Sequence, residues 1–177
     1  MRVMVYIAVS VDGFIAGPDG DISWLHNTAY TIAGEDFGYA KFMSEIDCLI
    51  MGRGTYEKVL EFAEWPFADK RVIVLSSTLR RLKAELPAEL SSEDPQSLFD
   101  RLKAEGVRRC YVDGGKTIQN FLRSGLVTDM TLTRIPVLLG GGLPLFGENP
   151  TLIPLVHEST QAFANGFVQT RYSLARR

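Results

Sequence analysis

The chain has 177 residues, 46% hydrophobic and 23% charged, with a net charge of -2, which is the make-up of one globular domain with a sizeable core. No segment concentrates basic residues, so nucleic acid is not an expected partner. No apolar run approaches the ~20 residues needed to span a bilayer, and a cytoplasmic protein without a membrane partner is expected.

The N-terminal "MRVMVYIAVSVDGFIAG" is interrupted by Asp12 and alternates like a strand rather than a signal peptide. Val3 to Val11 is β-branched and apolar, as a central strand buried on both faces should be. Residues 12–34 form a long Gly-, Asp- and Pro-rich loop carrying Phe14 and Trp24, and a loop of that length in a compact domain is usually functional. In "EDFGYAKFMSEI" the residues Tyr39, Phe42, Met43 and Ile46 fall at helical spacing, with acids placed at the start to suit the helix dipole. "DCLIM" is a strand, "TYEKVLEF" a short helix and "RVIVLSS" a second buried strand.

"DPQSLFDRLKAEG" signals a helix at both ends: Asp94 caps, Pro95 suits the first turn and Gly106 terminates. "RRCYVDGG" is a strand and "KTIQNFLRSG" a helix that ends at Gly125. "DMTLTRIPVLLG", "TLIPLVHEST" and "GFVQTRYSLARR" are strand-like, with no long helix between them. Strand and helix alternate up to residue 125, so the expected fold is α/β, in three layers, with a mostly parallel sheet and an antiparallel strand added at its C-terminal edge. Cys48 and Cys110 sit in apolar strands and read as core residues. His26 and His157 are far apart, and no metal-ligand spacing appears.

In open α/β sheets ligands bind beyond the carboxyl ends of the strands. Four strand ends carry polar or glycine-rich junctions: Ser10 to Gly13, Gly52-Arg53-Gly54-Thr55, Ser76-Ser77-Thr78, and Gly114-Gly115-Lys116-Thr117. Parallel neighbours would bring all four to one rim. Gly114 and Gly115 permit close backbone approach, the helix behind them offers free N–H groups, and Lys116 and Thr117 add a charge and a hydroxyl. Neither glycine junction is a Walker or Rossmann fingerprint.

The order "IMGRGTYE", "RVIVLSS", "YVDGGKTIQNFL" resembles dihydrofolate reductases. "AVSVDGFIAGPDGDISWL" and "PVLLGGGLPLFG" are more similar to the reductase domain at the C-terminus of bifunctional riboflavin-biosynthesis deaminase/reductases. The resemblance covers about residues 2–175 and implies a dihydrofolate reductase-like fold, NADPH as cofactor, hydride transfer to a heterocyclic small molecule related to a pyrimidine or pterin, and a homodimer.

By position, the resemblance implies that Gly52, Arg53 and Thr55 embrace the pyrophosphate and adenosine phosphate. Ser76, Ser77 and Thr78 would lie beside the adenine ribose, with Arg80 or Arg81 as alternative cations to Arg53. Gly114 and Gly115 match a glycine pair that the family often joins by a cis peptide, and Lys116 and Thr117 follow near the pyrophosphate. On the substrate side Asp12 matches an "S-x-D-G" pattern. Asp36, with Glu35 as its register alternative, stands where dihydrofolate reductases carry their pterin-binding acid, and would point inward from its helix. Trp24 would close over a ring, and Gly140 to Phe146 would turn near the nicotinamide. The zinc signature of the deaminase is absent, and the 12–34 loop has no basic cluster for a ribose phosphate.

Overall fold

The computed structural model describes residues 1–83, 85–149 and 151–174. In chain order the elements are β1 (Arg2–Ser10), β2 (Phe14–Ala16), α1 (Tyr39–Ser44), β3 (Cys48–Gly52), α2 (Arg53–Val59), β4 (Arg71–Leu75), β5 (Ala88–Ser91), α3 (Pro95–Ala104), β6 (Arg109–Asp113), α4 (Gly115–Arg123), β7 (Asp129–Ile135), β8 (Leu143–Pro144), β9 (Leu155–Ala162) and β10 (Val168–Leu174). Eight strands form one sheet in the order β5-β4-β3-β6-β1-β7-β10-β9. The first six run parallel, while β10 is antiparallel to both β7 and β9. The expected α/β sandwich with an antiparallel C-terminal edge is what forms, and that edge is two strands wide.

Both faces of the parallel part are buried, which is why its strands read as continuous apolar runs. Under α3 and α4 pack Val3, Val5, Ile50, Val112, Ile118 and Phe121. Under α1 and α2 pack Met4, Phe42, Leu49, Met51, Tyr56 and Tyr111. The two cysteines are fully buried and stand opposite each other in register on β3 and β6. Their mutual contact and their burial push the Cys110 thiol far up, so it remains an inert core group.

Four local expectations are corrected. The helix expected over 35–46 begins only at Tyr39, because Gly34, Phe37 and Gly38 all hold positive φ. Phe37, at φ 59, is fixed there from outside its own segment: its carbonyl accepts from the Tyr6 hydroxyl and from Gln169 Nε2, and its ring packs on Phe163 and Phe167. Secondly, β5 is an unforeseen edge strand of four residues, paired with β4 and followed by the predicted helix α3. Thirdly, α2 starts at Arg53, so the junction "GRGT" is already helical. The segment "TLIPLVHEST" becomes a strand only from Leu155, and the last three residues of "GFVQTRYSLARR" lie outside the described residues.

Candidate active site

The parallel register sets Ser10, Gly52, Leu75, Asp113 and Ile135 at one edge of the sheet. The four junctions expected from the sequence therefore share a rim, in the order β4, β3, β6, β1. The chain leaves β3 into α2 on one face and leaves the adjacent β6 into α4 on the other. Strand connections thus diverge between β3 and β6, which opens the crevice where α/β sheets bind ligands.

The two glycine junctions interlock. A Cβ on Gly52 would lie 2.5 Å from Thr117 Oγ1, and one on Gly114 would lie 2.3 Å from Thr55 Oγ1. Gly114 also sits at φ 90, a conformation that favours glycine. The first demand on both glycines is therefore the threonine of the opposite junction. The Gly114–Gly115 bond is trans, as are all peptide bonds among the described residues, so the cis link that the resemblance suggested is not present.

This fit brings two helix starts side by side, and neither has a side-chain cap. By contrast α3 is closed by Asp94, whose Oδ1 accepts from the Gln96 and Ser97 N–H groups at 3.0 and 3.1 Å. Uncapped N–H groups and the positive helix end suit an anion. Lys116 and Arg53 are exposed beside them. Arg53 donates to Thr78 Oγ1 at 3.3 Å and lies 3.5 Å from Glu57, so it bridges the ends of β3 and β4. Ser76 Oγ accepts from the Thr78 and Leu79 N–H groups and shapes that turn, with Ser77 exposed on it.

Asp12 is exposed, and its carboxylate is already engaged. Oδ1 accepts from Ser10 Oγ at 2.6 Å and Leu139 N at 3.2 Å, and Oδ2 accepts from Gly140 N at 2.8 Å. The Ser10 hydroxyl first, then these N–H groups, hold its pKa below the usual carboxylate range. Asp12 thus staples the end of β1 to the segment leading into β8. That segment pairs β8 with β2, and Pro144 O and Ile15 crowd the start of α4 at Gly115.

Asp36 does not point inward from a helix. It is exposed, and its carboxylate accepts from the Gly38 and Ala40 N–H groups at 2.8 Å each, which lowers its pKa. Glu35 is likewise exposed and accepts from Phe37 N at 2.6 Å. Trp24 is half-buried in the 12–34 loop, and its Nε1–H is buried without a partner. Such a donor is costly to leave unmet, so a ligand acceptor there would be favourable.

The acid at the centre of the rim is Asp113, the last residue of β6. Its Oδ1 accepts from Gly114 N at 2.8 Å. The residue is half-buried, and the desolvation of its carboxyl pushes its pKa up. Beside it Tyr39 is 38% exposed, with its hydroxyl pushed up to about 12 by burial and by the Asp113 charge. The Tyr39 and Tyr6 rings are 5.6 Å apart, and Tyr111 donates its hydroxyl to Tyr6 O at 2.9 Å. Sequence reasoning passed over Asp113, reading "VDGGKT" for its glycines; a lone acid closing an otherwise apolar strand was the available signal. Two cavities of about 280 and 340 Å³ lie elsewhere, one along α4 and Phe146, the other beside Met1 and Arg108.

A three-layer α/β domain with paired helix starts at a strand divergence is the make-up of the dihydrofolate reductase-like fold class. The RibD C-terminal domain family model matches residues 1–169, and the chain belongs to that family. It is similar to the uncharacterized protein YwjB of Bacillus subtilis (strain 168), at 34% identity over 174 residues and 97% of both chains. A putative riboflavin biosynthesis protein from Shewanella sp. PV-4 superposes with a TM-score of 0.93 at 37% identity, covering 99% of this chain and 100% of that one. The Thermotoga maritima diaminohydroxyphosphoribosylaminopyrimidine deaminase/5-amino-6-(5-phosphoribosylamino)uracil reductase shares the fold, with a TM-score of 0.73 at 14% identity. Here the match covers 98% of this chain and 56% of that one. Among the described residues no helix is long and apolar enough to cross a membrane, and no cluster of His, Cys, Asp and Glu could hold a metal.

Proposed function

We propose that this protein is an NADPH-dependent reductase of the riboflavin-pathway type, acting on a carbon–nitrogen double bond of a pyrimidine-related heterocycle. The observation that carries the reading is the pair of uncapped helix starts, α2 and α4, facing one crevice from adjacent strands. Their N–H groups, with Thr55, Thr117 and Lys116, would hold the pyrophosphate. Arg53, reaching toward Ser76, Ser77 and Thr78, would meet the 2′-phosphate that separates NADPH from NADH. The interlocked glycines let the Thr55 and Thr117 hydroxyls fill the gap between the two helix starts, so a dinucleotide would lie against backbone N–H groups flanked by those hydroxyls.

When bound, a reduced nicotinamide supplies the hydride. The residues of the rim would hold the acceptor so that its carbon takes the hydride and its nitrogen one proton, with NADP+ as the oxidised product. Asp113 is suited to hold that proton, because its raised pKa keeps the neutral carboxylic acid available at higher pH than an ordinary carboxylate. Asp12 keeps the rim in place, and Tyr39, partly exposed beside Asp113, would present a flat wall. The pterin alternative rested on an inward Asp36, and the exposed capping role of that residue leaves nothing to favour it. A non-catalytic nucleotide-binding protein would bind NADPH and turn over no acceptor.

The test is nucleotide titration of the purified chain, followed by Trp fluorescence. NADPH is expected to bind more tightly than NADH, and Arg53→Ala to weaken NADPH about tenfold while leaving NADH nearly unchanged. Failure to bind either nucleotide overturns the reading.

A further inference from the structure

The segment that brings Tyr39 to the rim is held by residues from the antiparallel edge of the sheet. Gln169 stands on β10, opposite Thr133 of β7. Its Nε2 donates at 3.0 Å to each of Tyr6 Oη, Phe37 O and Thr133 Oγ1, so its two hydrogens serve three acceptors. The Tyr6 hydroxyl donates to the same Phe37 carbonyl. The turn between β9 and β10 adds an aromatic grip. Phe37 packs on Phe163 and Phe167 at 4.9 and 5.1 Å, and Tyr30 packs on Phe167 at 5.4 Å. Asn165 Nδ2 donates to Tyr30 O at 2.6 Å.

What this grip holds is a strained turn. Phe37 is at φ 59, in the left-handed region, which a bulky residue occupies only where its surroundings enforce it. Gly38 follows at φ 85, and α1 begins at Tyr39. These two left-handed residues set the direction in which Tyr39 leaves the turn. Its ring lies 5.6 Å from that of Tyr6 and stays partly exposed, and its hydroxyl feels the Asp113 charge at the rim. A relaxed Phe37 would start the helix elsewhere and carry Tyr39 away from Asp113. We propose that Gln169 is a positioning residue for the acceptor: by fixing the turn at Phe37 it holds the Tyr39 ring beside Asp113, as the surface on which a flat heterocycle stacks. This rests on the reductase reading and deepens it. None of the groups that Gln169 Nε2 holds belongs to α2 or α4, so its effect falls on the acceptor and not on the nucleotide.

The experiment compares the parent with Gln169→Leu, Tyr6→Phe, Tyr39→Ala and the double variant Gln169→Leu/Tyr39→Ala. Each is titrated with NADPH, then assayed for NADPH oxidation with 5-amino-6-(5-phosphoribosylamino)uracil. Gln169→Leu and Tyr6→Phe are expected to keep the NADPH Kd within about twofold and to lower kcat/KM about tenfold, mostly through KM. In the Tyr39→Ala background Gln169→Leu should cost nothing further, because both changes act on one ring. Tyr6→Phe keeps its ring and loses only the hydroxyl, so it still tests the turn if Gln169→Leu does not fold. Additive losses, an unchanged KM or an equally weakened NADPH Kd overturn the proposal, and so does a parent that binds NADPH without turning over this acceptor. Absence of NADPH binding by the parent would instead overturn the reductase reading beneath it.

Discussion

Asp113 shows how one side chain acquires a property that its sequence position only hints at. Its carboxyl is forced up by burial, against a single N–H from Gly114 and the Tyr111 hydroxyl that pull it down. A raised folded-state pKa means that stability linked to this group is full below its unfolded pKa and is lost as pH rises through the folded value. Asp113→Asn should therefore be more stable than the parent at neutral pH, with a flatter pH dependence in thermal melts. Activity should move the other way. The parent's kcat/KM is expected to fall as pH rises through a value above the ordinary carboxylate range. The variant should lose that limb and about a hundredfold in kcat/KM. A parent-like pH profile in the variant would remove Asp113 from proton handling. Asp12 was equally visible in the sequence, but its oxygens are occupied by Ser10, Leu139 and Gly140, which no local pattern could reveal.

Among the elements, the two strand–helix junctions act as one unit. Gly52 has an ordinary φ of -81, so the only obstacle to alanine there is Thr117 Oγ1. Gly52→Ala should cost about 1–3 kcal/mol through overpacking. Adding Thr117→Ala should restore most of it, since the threonine Cβ is already 3.9 Å away. Gly114→Ala with Thr55→Ala should recover less, because φ 90 remains strained for any Cβ. Denaturation midpoints of the four single and two double variants check this. Additive losses in the first pair would refute the interlock. The sequence marked both junctions and the capped start of α3, because these depend on local backbone chemistry. It did not mark β5, whose "AELS" has no apolar run; β5 is held by pairing with β4 and by Arg71 and Arg101 clamping Glu89 at 3.1 and 2.8 Å. Nor did it mark the late start of α1, which the distant residues Tyr6, Gln169, Phe163 and Phe167 impose on Phe37.

For the molecule as a whole, the sheet ends differently on its two sides. The β5 side is pinned by a charge network, whereas β9 is exposed along all eight residues and carries neither Lys nor Pro. Leu155 and Val156 are 41% and 52% exposed there. Unprotected edges of this kind invite another strand, and a second copy can pair with it antiparallel about a two-fold axis. The homodimer that the resemblance implies is therefore expected at this edge. Light scattering should give twice the mass of one chain, and Val156→Lys should give one. A monomeric parent would overturn that expectation.

The alternation of apolar runs with helical spacing determined the α/β sandwich, and the family-like junctions determined which strand ends to inspect. Both are local: a buried strand must be apolar and a tight strand–helix turn must be small. What only the tertiary structure decided is which of those groups meet. The order of strands placed Gly52 against Thr117, desolvated the Asp113 carboxyl and turned Asp36 outward, because these properties arise from contacts between segments far apart in the chain.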